Sequence, residues 1–338
     1  MRSPRHLRHS QDDKPGYTRK RHVEEFVYFD DKGKQIVKQS VIARLNRLAI
    51  PPAWEQVWIC KDRLGCLQAS GRDQRGRKQY IYHPDWALYR NLDKFQNLFR
   101  FGEDLAKIRA QLWQDIALPA WPKQKVVAMA IAVMDETYIR VGNRRYVEAN
   151  QTYGLTTLRR KHMEVNAGKL LFSFRAKGGQ YREVSLQNRR LCKLIQACAE
   201  LPGYELFCYL DEEGKSHPIV SQDVNVYLEA VTGAHYTAKD FRTWGGSVTA
   251  LEVLPEAKLA VAENPKLNLI NAVIRGVTRV LGNTVAICRK YYIHPAVLSA
   301  IELDNTERYL KLAEAEKNYV ELELTERQLM LLLKDYYK

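Results

Sequence analysis

No run of this sequence approaches the roughly 18 consecutive apolar residues that a membrane-spanning helix needs. Residues 1–22 carry basic side chains with no hydrophobic segment behind them, so no secretory leader is expected. The chain is expected to be cytoplasmic, neither spanning a membrane nor secreted. Its six cysteines (Cys60, Cys66, Cys192, Cys198, Cys208 and Cys288) form no Cys-x-x-Cys pair, and its eight histidines do not cluster at ligand spacing. Reduced, buried thiols and no structural metal are expected. Acidic residues are the scarcer charge: 39 Asp and Glu stand against 53 Lys and Arg, a formal net charge of +14. That excess selects a polyanionic partner, either nucleic acid or an anionic membrane surface.

What is present is an ordinary globular composition, 46% hydrophobic and 27% charged over 338 residues. The length exceeds the roughly 100–200 residues of a typical domain, so two domains are expected. Residues 1–22 hold Arg2, Arg5, Arg8, Arg19, Lys20 and Arg21 with almost no large apolar side chain, the pattern of a flexible basic arm. Residues 23–90 read as a small β-rich domain. Phe26–Phe29 and Ile36-Val37 flank a turn at Asp30–Lys34, and a helix runs from Val41 to Leu48 before Pro51 and Pro52 stop the chain. Strands follow at Val57–Cys60, Cys66–Ala69 and Gln79–Tyr82. Between the last two lies Ser70–Lys78, a glycine-punctuated basic loop leading into Gln79, Tyr80 and Tyr82. A charged loop is most often only a solvated one. Here cations precede an amide and two aromatics, which suits contact with a DNA groove.

From residue 91 the period turns helical, with Phe95, Leu98, Leu105, Ile108 and Leu112 on one face. Residues 91–338 are therefore expected to form a larger, mainly helical domain. A helix over Lys125–Arg140 should end at Val141-Gly142-Asn143, with Arg140 in its last turn. Leu170–Arg175 and Tyr181–Leu186 flank Ala176-Lys177-Gly178-Gly179 and read as a β-hairpin with Lys177 at its tip. Thr237 caps a helix whose first turns put Lys239 and Arg242 on one face. Leu267, Ile270, Val273, Ile274, Val277 and Leu281 make an amphipathic helix that Gly282-Asn283 terminates. Beyond Leu303 the charge balance turns mildly acidic, and Thr325–Gln328 has the form of a capping box opening a closing helix.

Past Gly282-Asn283 the sequence places Tyr291 and Tyr292 side by side behind Cys288-Arg289-Lys290. A tyrosine on a lysine-rich helix is most often a packing residue. A phenol is also a nucleophile competent to attack a phosphodiester. Arg140, Lys177 and Arg242, all at expected element ends or tips, supply the rest of what phosphoryl transfer requires. Guanidinium groups meet the charge that builds on the non-bridging oxygens. Lys177 supplies a proton for the departing 5′-oxygen. Cations also favour the phenolate of a group whose ordinary pKa is about 10.

These residues resemble those of the type IB DNA topoisomerases of the small poxvirus-like class. The resemblance is carried by Leu48–Trp54, Gly76–Tyr80, Ile139–Asn143, Tyr146, Tyr153–Leu158, Lys239–Gly245, Gly282-Asn283-Thr284, and Tyr292 nine residues past the asparagine. It implies that Arg140 and Arg242 grip the scissile phosphate and that Lys177 protonates the 5′-hydroxyl with help from Arg140. Tyr292 then attacks to give a 3′-phosphotyrosyl bond. Resealing needs no cofactor, neither ATP nor metal, in accord with the missing Gly-x-x-x-x-Gly-Lys-Ser/Thr loop and acidic metal cluster. The fifth position is Asn283, which donates to a phosphate oxygen but holds no proton. The resemblance further implies DNA contacts by Gln79, Tyr80, Tyr82, Tyr146 and Lys239, and a monomer acting on duplex DNA at the nucleoid. The implied fold is α+β: a β-rich N-terminal domain and a mainly helical catalytic domain with a small hairpin sheet, together a C-shaped clamp.

Two rivals share these residues. Tyrosine recombinases use the same two arginines, lysine and tyrosine, but typically show His-x-x-Arg where this chain has Lys239-x-x-Arg242, and a helical N-terminal domain. A non-enzymatic basic DNA-binding protein would use the same side chains for phosphate and groove contacts and form no covalent adduct.

Overall fold

Residues 17–82 build one antiparallel sheet of five strands in the order β2-β1-β3-β4-β5. In this computed structural model, which describes residues 6–22, 25–166 and 168–338 (backbone only at 91–94), β1 is Tyr17–His22, β2 Glu25–Phe29, β3 Glu55–Ile59, β4 Leu67–Arg72 and β5 Lys78–Tyr82. Arg2 and Arg5 of the expected arm fall outside the described residues. The end of that segment is not an arm: β1 pairs with β2 on one side and β3 on the other. The reason lies in partners further along the chain. Arg19 donates to the Ile50 carbonyl at 2.8 Å and lays its guanidinium 4.0 Å from the centre of the Phe26 ring, so a basic side chain packs along its stem. The strand expected at Ile36-Val37 shrinks to a single bridge between Phe29 and Gln35. Val37 is exposed and has no sheet face to bury against. Helix α1 (Gln39–Arg47) packs Leu45 onto Tyr28, Val57, Ile59 and Ala69 in this unit's core.

Helix α2 (Pro84–Ile116) opens on a proline, because a proline in the first turn forfeits no hydrogen bond. It therefore starts well before residue 91. The chain divides into compact units at residues 1–96 and 97–338. The larger unit is organised on two helices that are buried on every side through their middle turns. In α3 (Lys123–Thr137) Val126–Met134 are all buried. In the later α7 (Ala238–Glu252) the chain is buried from Phe241 through Leu251. Helices buried all round are interior ones. Phe101 of α2 stands edge-on to Phe241 and Trp244 of α7, with ring centres 5.0 and 6.1 Å away.

Between α3 and α7 come α4 (Arg144–Asn150), a sheet in the order β6-β7-β8, α5 (Arg189–Ala199), a two-stranded ribbon and α6 (Ser221–Thr232). The sheet consists of β6 (Met163–Asn166), β7 (Lys169–Arg175) and β8 (Tyr181–Leu186), and the ribbon of β9 (Cys208–Leu210) and β10 (Ser216–Pro218). After α7 the chain is helical: α8 (Leu254–Glu263), α9 (Leu269–Leu281), α10 (Val285–Tyr291), α11 (Pro295–Glu302), α12 (Thr306–Ala315) and α13 (Leu324–Tyr336). Helix α13 starts one residue before the box expected at Thr325–Gln328. The Glu326 carboxylate accepts from the Glu323 N–H at 3.1 Å, and Arg109 and Trp244 hold the same carboxylate. The fold is thus α+β, a β-rich N-terminal region followed by a mostly helical domain with small sheets. Among the described residues, no helix is long and apolar enough to cross a membrane. All six cysteines are free and buried.

Candidate active site

Helix α3 ends when Tyr138 turns left-handed, with φ 53°. Arg140 therefore stands beyond the helix, not in its last turn. The segment that carries it is held from the side: Leu155 N–H donates to the Arg140 carbonyl and Thr156 N–H to the Val141 carbonyl, each at 2.8 Å. Ile139–Asn143 and Tyr153–Leu158, separate in sequence, form one backbone clasp. Arg140 then donates through Nη2 to the Gly282 carbonyl at 3.0 Å and to Asn283 Oδ1.

Arg242 comes to the same place from α7 and is only 4% exposed. Its Nη1 donates to the Tyr138 carbonyl. Its Nη2 donates to the Leu281 carbonyl at 3.0 Å and to Asn283 Oδ1 at 3.4 Å. Two guanidinium groups converge on one amide oxygen, backed by the last carbonyls of α9. Those carbonyls are the negative end of a helix, which offsets part of the cost of placing two buried cations together. Burial, reinforced by Arg242, pushes Arg140 down to about 10, and burial likewise lowers Arg242. Asn283 Nδ2 and Arg242 Nε are shielded from water and have no hydrogen-bond partner among the described residues. A buried donor left this way costs about 1–3 kcal/mol, and an anion entering the site relieves that cost.

Tyr292 is delivered by α10. Thr284 caps that helix, Tyr291 is its last residue, and Tyr292 leaves it at φ −128° and ψ −14°. The Arg242 guanidinium carbon lies 5.0 Å from the centre of the Tyr292 ring. Burial raises this phenol, but Arg242, Arg140 and Lys239 outweigh burial and hold it below the ordinary phenol value. Tyr291 instead has the Lys290 ammonium 5.3 Å from its ring centre. The Cys288 thiol, one turn earlier, is pushed up to about 11 by burial and stays protonated near neutral pH.

The structure therefore brings Arg140, Arg242, Asn283 and Tyr292 together. Lys177 is exposed at the tip of the β7–β8 hairpin, where Gly178 has φ 84°, outside that contact network. Lys239 is exposed in the first turn of α7. Tyr80 and Tyr82 share one face of β5, half-exposed with ring centres 6.0 Å apart. Gln79 alternates to the other face and its amide donates to Asp73 at 2.9 Å. Tyr146 is exposed on α4, a helix with no buried residue. One residue of this neighbourhood was not singled out in the sequence. Arg182 of β8 lines a cleft with Arg140, Arg242, Tyr153, Phe174 and Leu281, and only its place five residues after Lys177 hints at a role.

The family described as the catalytic core of eukaryotic DNA topoisomerase I matches residues 78–319, and the N-terminal domain of bacterial DNA topoisomerase IB matches residues 25–73. The chain is similar to the DNA topoisomerase 1B of Acanthamoeba polyphaga mimivirus, 30% identical over 286 residues that make up 82% of this chain and 85% of that protein. It is similar to the DNA topoisomerase 1B of vaccinia virus (strain Copenhagen) at 25% identity over 256 residues, 75% of this chain and 77% of that one. Among solved structures it aligns with the XerH site-specific recombinase bound to palindromic difH substrate, at 15% identity and a TM-score of 0.38 over 61% of this chain and 51% of that one. The two matches along the sequence and the extent of the viral likeness show that the chain belongs to the type IB DNA topoisomerases.

Proposed function

We propose that this topoisomerase opens one strand of duplex DNA by attack of Tyr292 Oη on a backbone phosphodiester. The Oη–P bond forms, the phenolic proton is lost to solvent, and the bond from phosphorus to the 5′-oxygen breaks. Lys177 hands a proton to that oxygen. The resulting 3′-phosphotyrosyl bond keeps the energy of the broken linkage, so the reverse reaction reseals the strand after supercoils are released. Arg140 and Arg242 take the non-bridging oxygens, and Asn283 Nδ2 donates to one of them. The observation that carries this reading is the pair of buried donors without partners, Asn283 Nδ2 and Arg242 Nε, between two arginines and beside Tyr292. The charge of the transition state is met by side chains, so the reaction requires neither ATP nor metal.

Duplex DNA is the partner. Tyr80, Tyr82, Tyr146 and Lys239, all exposed, suit backbone and groove contact, and Gln79 joins them once DNA competes with Asp73 for its amide. The same reading has the enzyme act as a monomer at the nucleoid. The test is relaxation of supercoiled plasmid in EDTA without ATP over a range of salt, since phosphate contacts weaken steeply as salt rises. Identification of the DNA-linked peptide after suicide cleavage accompanies it. Relaxation and an adduct on Tyr292 are expected. Tyr292→Phe should abolish both and Tyr291→Phe should leave both largely intact. No relaxation at any salt, or an adduct elsewhere, overturns the reading.

A further inference from the structure

We propose that Arg182 is a positioning residue that ties the hairpin carrying Lys177 to the loop carrying Asn283, so that the proton donor and the phosphate-binding amide are held at a fixed separation. The inference rests on the role proposed above for Lys177.

The tip that bears Lys177 is weakly held by its own bonds. Residues 176–180 are closed by Ala176 N–H to the Gln180 carbonyl at 2.7 Å and Gly179 N–H to the Ala176 carbonyl at 2.9 Å. Two consecutive glycines with φ 84° and 78° follow Lys177, and glycine populates that region without steric penalty and with much freedom. A donor at such a tip needs an external tether to hold a reacting geometry. Arg182 stands close below the tip, paired across the hairpin with Phe174 and next to the last rung, Arg175 with Tyr181.

Its side chain leaves the hairpin altogether. Nη1 donates to the Arg279 carbonyl at 3.1 Å and Nη2 to the Val280 carbonyl at 2.6 Å. These belong to the last turn of α9, whose carbonyls have no partner within the helix. A planar fork that donates to two successive carbonyls fixes orientation as well as distance, which an ammonium does not. The contact is also built into the helix end. Gly282 caps α9 with φ 61°, and a Cβ there would lie 2.3 Å from Arg182 Nη1. Glycine thus serves the left-handed turn and the approach of the guanidinium together. The next residue is Asn283. Held on α9 by both Nη groups, Arg182 acts through Lys177 and Asn283.

The experiment measures single-turnover cleavage by Arg182→Ala, Arg182→Lys and Lys177→Ala on ordinary DNA and on DNA with sulfur at the 5′-bridging position, a leaving group that needs no proton. Arg182→Ala is expected to cleave ordinary DNA about 10- to 100-fold more slowly, the penalty for misplacing a reacting group by about an ångström. It should recover most of that loss on the sulfur substrate, as Lys177→Ala should, while noncovalent DNA affinity stays that of the parent. Arg182→Lys keeps a cation at the helix end and loses the fork. It should show the same substrate-dependent recovery from a smaller loss, and it carries the test if Arg182→Ala fails to fold. Recovery by Lys177→Ala without recovery by either Arg182 variant would reduce Arg182 to a helix cap and overturn the inference alone. Absence of recovery by Lys177→Ala removes Lys177 from the acid role and overturns both.

Discussion

Gly246 of α7 lies against the backbone of Tyr292: a Cβ at Gly246 would stand 2.4 Å from the Tyr292 carbonyl oxygen. The proposed nucleophile is thus seated on a helix that approaches without a side chain, and the same helix brings Arg242 to its ring. Gly246→Ala adds the better helix former by about 1 kcal/mol, so helix propensity alone predicts no harm. The contact predicts that the Tyr292 segment is displaced. Suicide cleavage should slow by about 10- to 100-fold, as expected for a misplacement of roughly an ångström, with DNA affinity unchanged. A variant that cleaves at the parental rate would show that the close approach is not needed.

The cations around Tyr292 make a prediction about pH. Burial raises the phenol, and Arg242, Arg140 and Lys239 more than reverse that. Positive charge favours the phenolate, so removing one cation must move the ionisation upward. Lys239 is exposed and can be replaced without emptying a buried site. In Lys239→Gln the rise of single-turnover cleavage with pH, measured at saturating DNA, should move to higher pH. A profile that stays in place or moves down would remove Lys239 from the field at Tyr292.

Arg109 joins three helices. It donates to Asp135 of α3 and to Glu326 of α13, each at 2.7 Å, while Glu326 also accepts from Trp244 of α7 at 2.9 Å. Asp135 is already pushed up by burial. Arg109→Met leaves both carboxylates buried without their cation, which should cost roughly 3–5 kcal/mol and lower the urea midpoint accordingly. Adding Glu326→Gln should return part of the loss, because the amide oxygen still accepts from Trp244 and one buried charge is gone. If the double variant is no more stable than the single one, uncompensated charge is not the cause.

What could be read in the sequence was what local rules decide. Gly178-Gly179 marked the hairpin and put Lys177 at its tip. Gly282 marked the end of α9, and the residue after it proved to be where both arginines meet. Thr237 capped α7 as its hydroxyl predicts, accepting from Lys239 N–H at 3.3 Å. What depended on distant partners was not legible. Arg19, Lys20 and Arg21 look like solvated charge until the Ile50 carbonyl and the Phe26 ring are placed beside Arg19. Arg140 looked like the end of a helix because nothing nearby announces that Tyr138 turns left-handed. Arg182 is one more cation on a strand, and its partners on α9 lie 97 and 98 residues further along the chain.

The clasp that aims Arg140 has its own sensitivity to acid. His162 is buried beneath it, with its ring centre 4.3 Å from that of Tyr153. Its Nδ1 accepts from the Arg159 N–H at 3.0 Å, so Nδ1 carries no proton in this arrangement. Burial, followed by the charges of Lys161 and Arg159, pushes its pKa down to about 4. In the unfolded chain the ring returns to about 6.5. Above that value neither state binds the proton and the contribution to stability is complete. As pH falls from about 6.5 towards about 4, the unfolded chain takes up a proton that the folded one refuses, and stability is lost. His162→Gln offers an amide oxygen to the same N–H and does not titrate. Its melting temperature should therefore fall less than the parent's between about pH 7 and about pH 5, a comparison in which the carboxylates common to both proteins cancel. Equal slopes would mean that the ring is protonated in the folded state as easily as in the unfolded one, and the Tyr153–His162 packing would then contribute nothing to the acid sensitivity of the Arg140 segment.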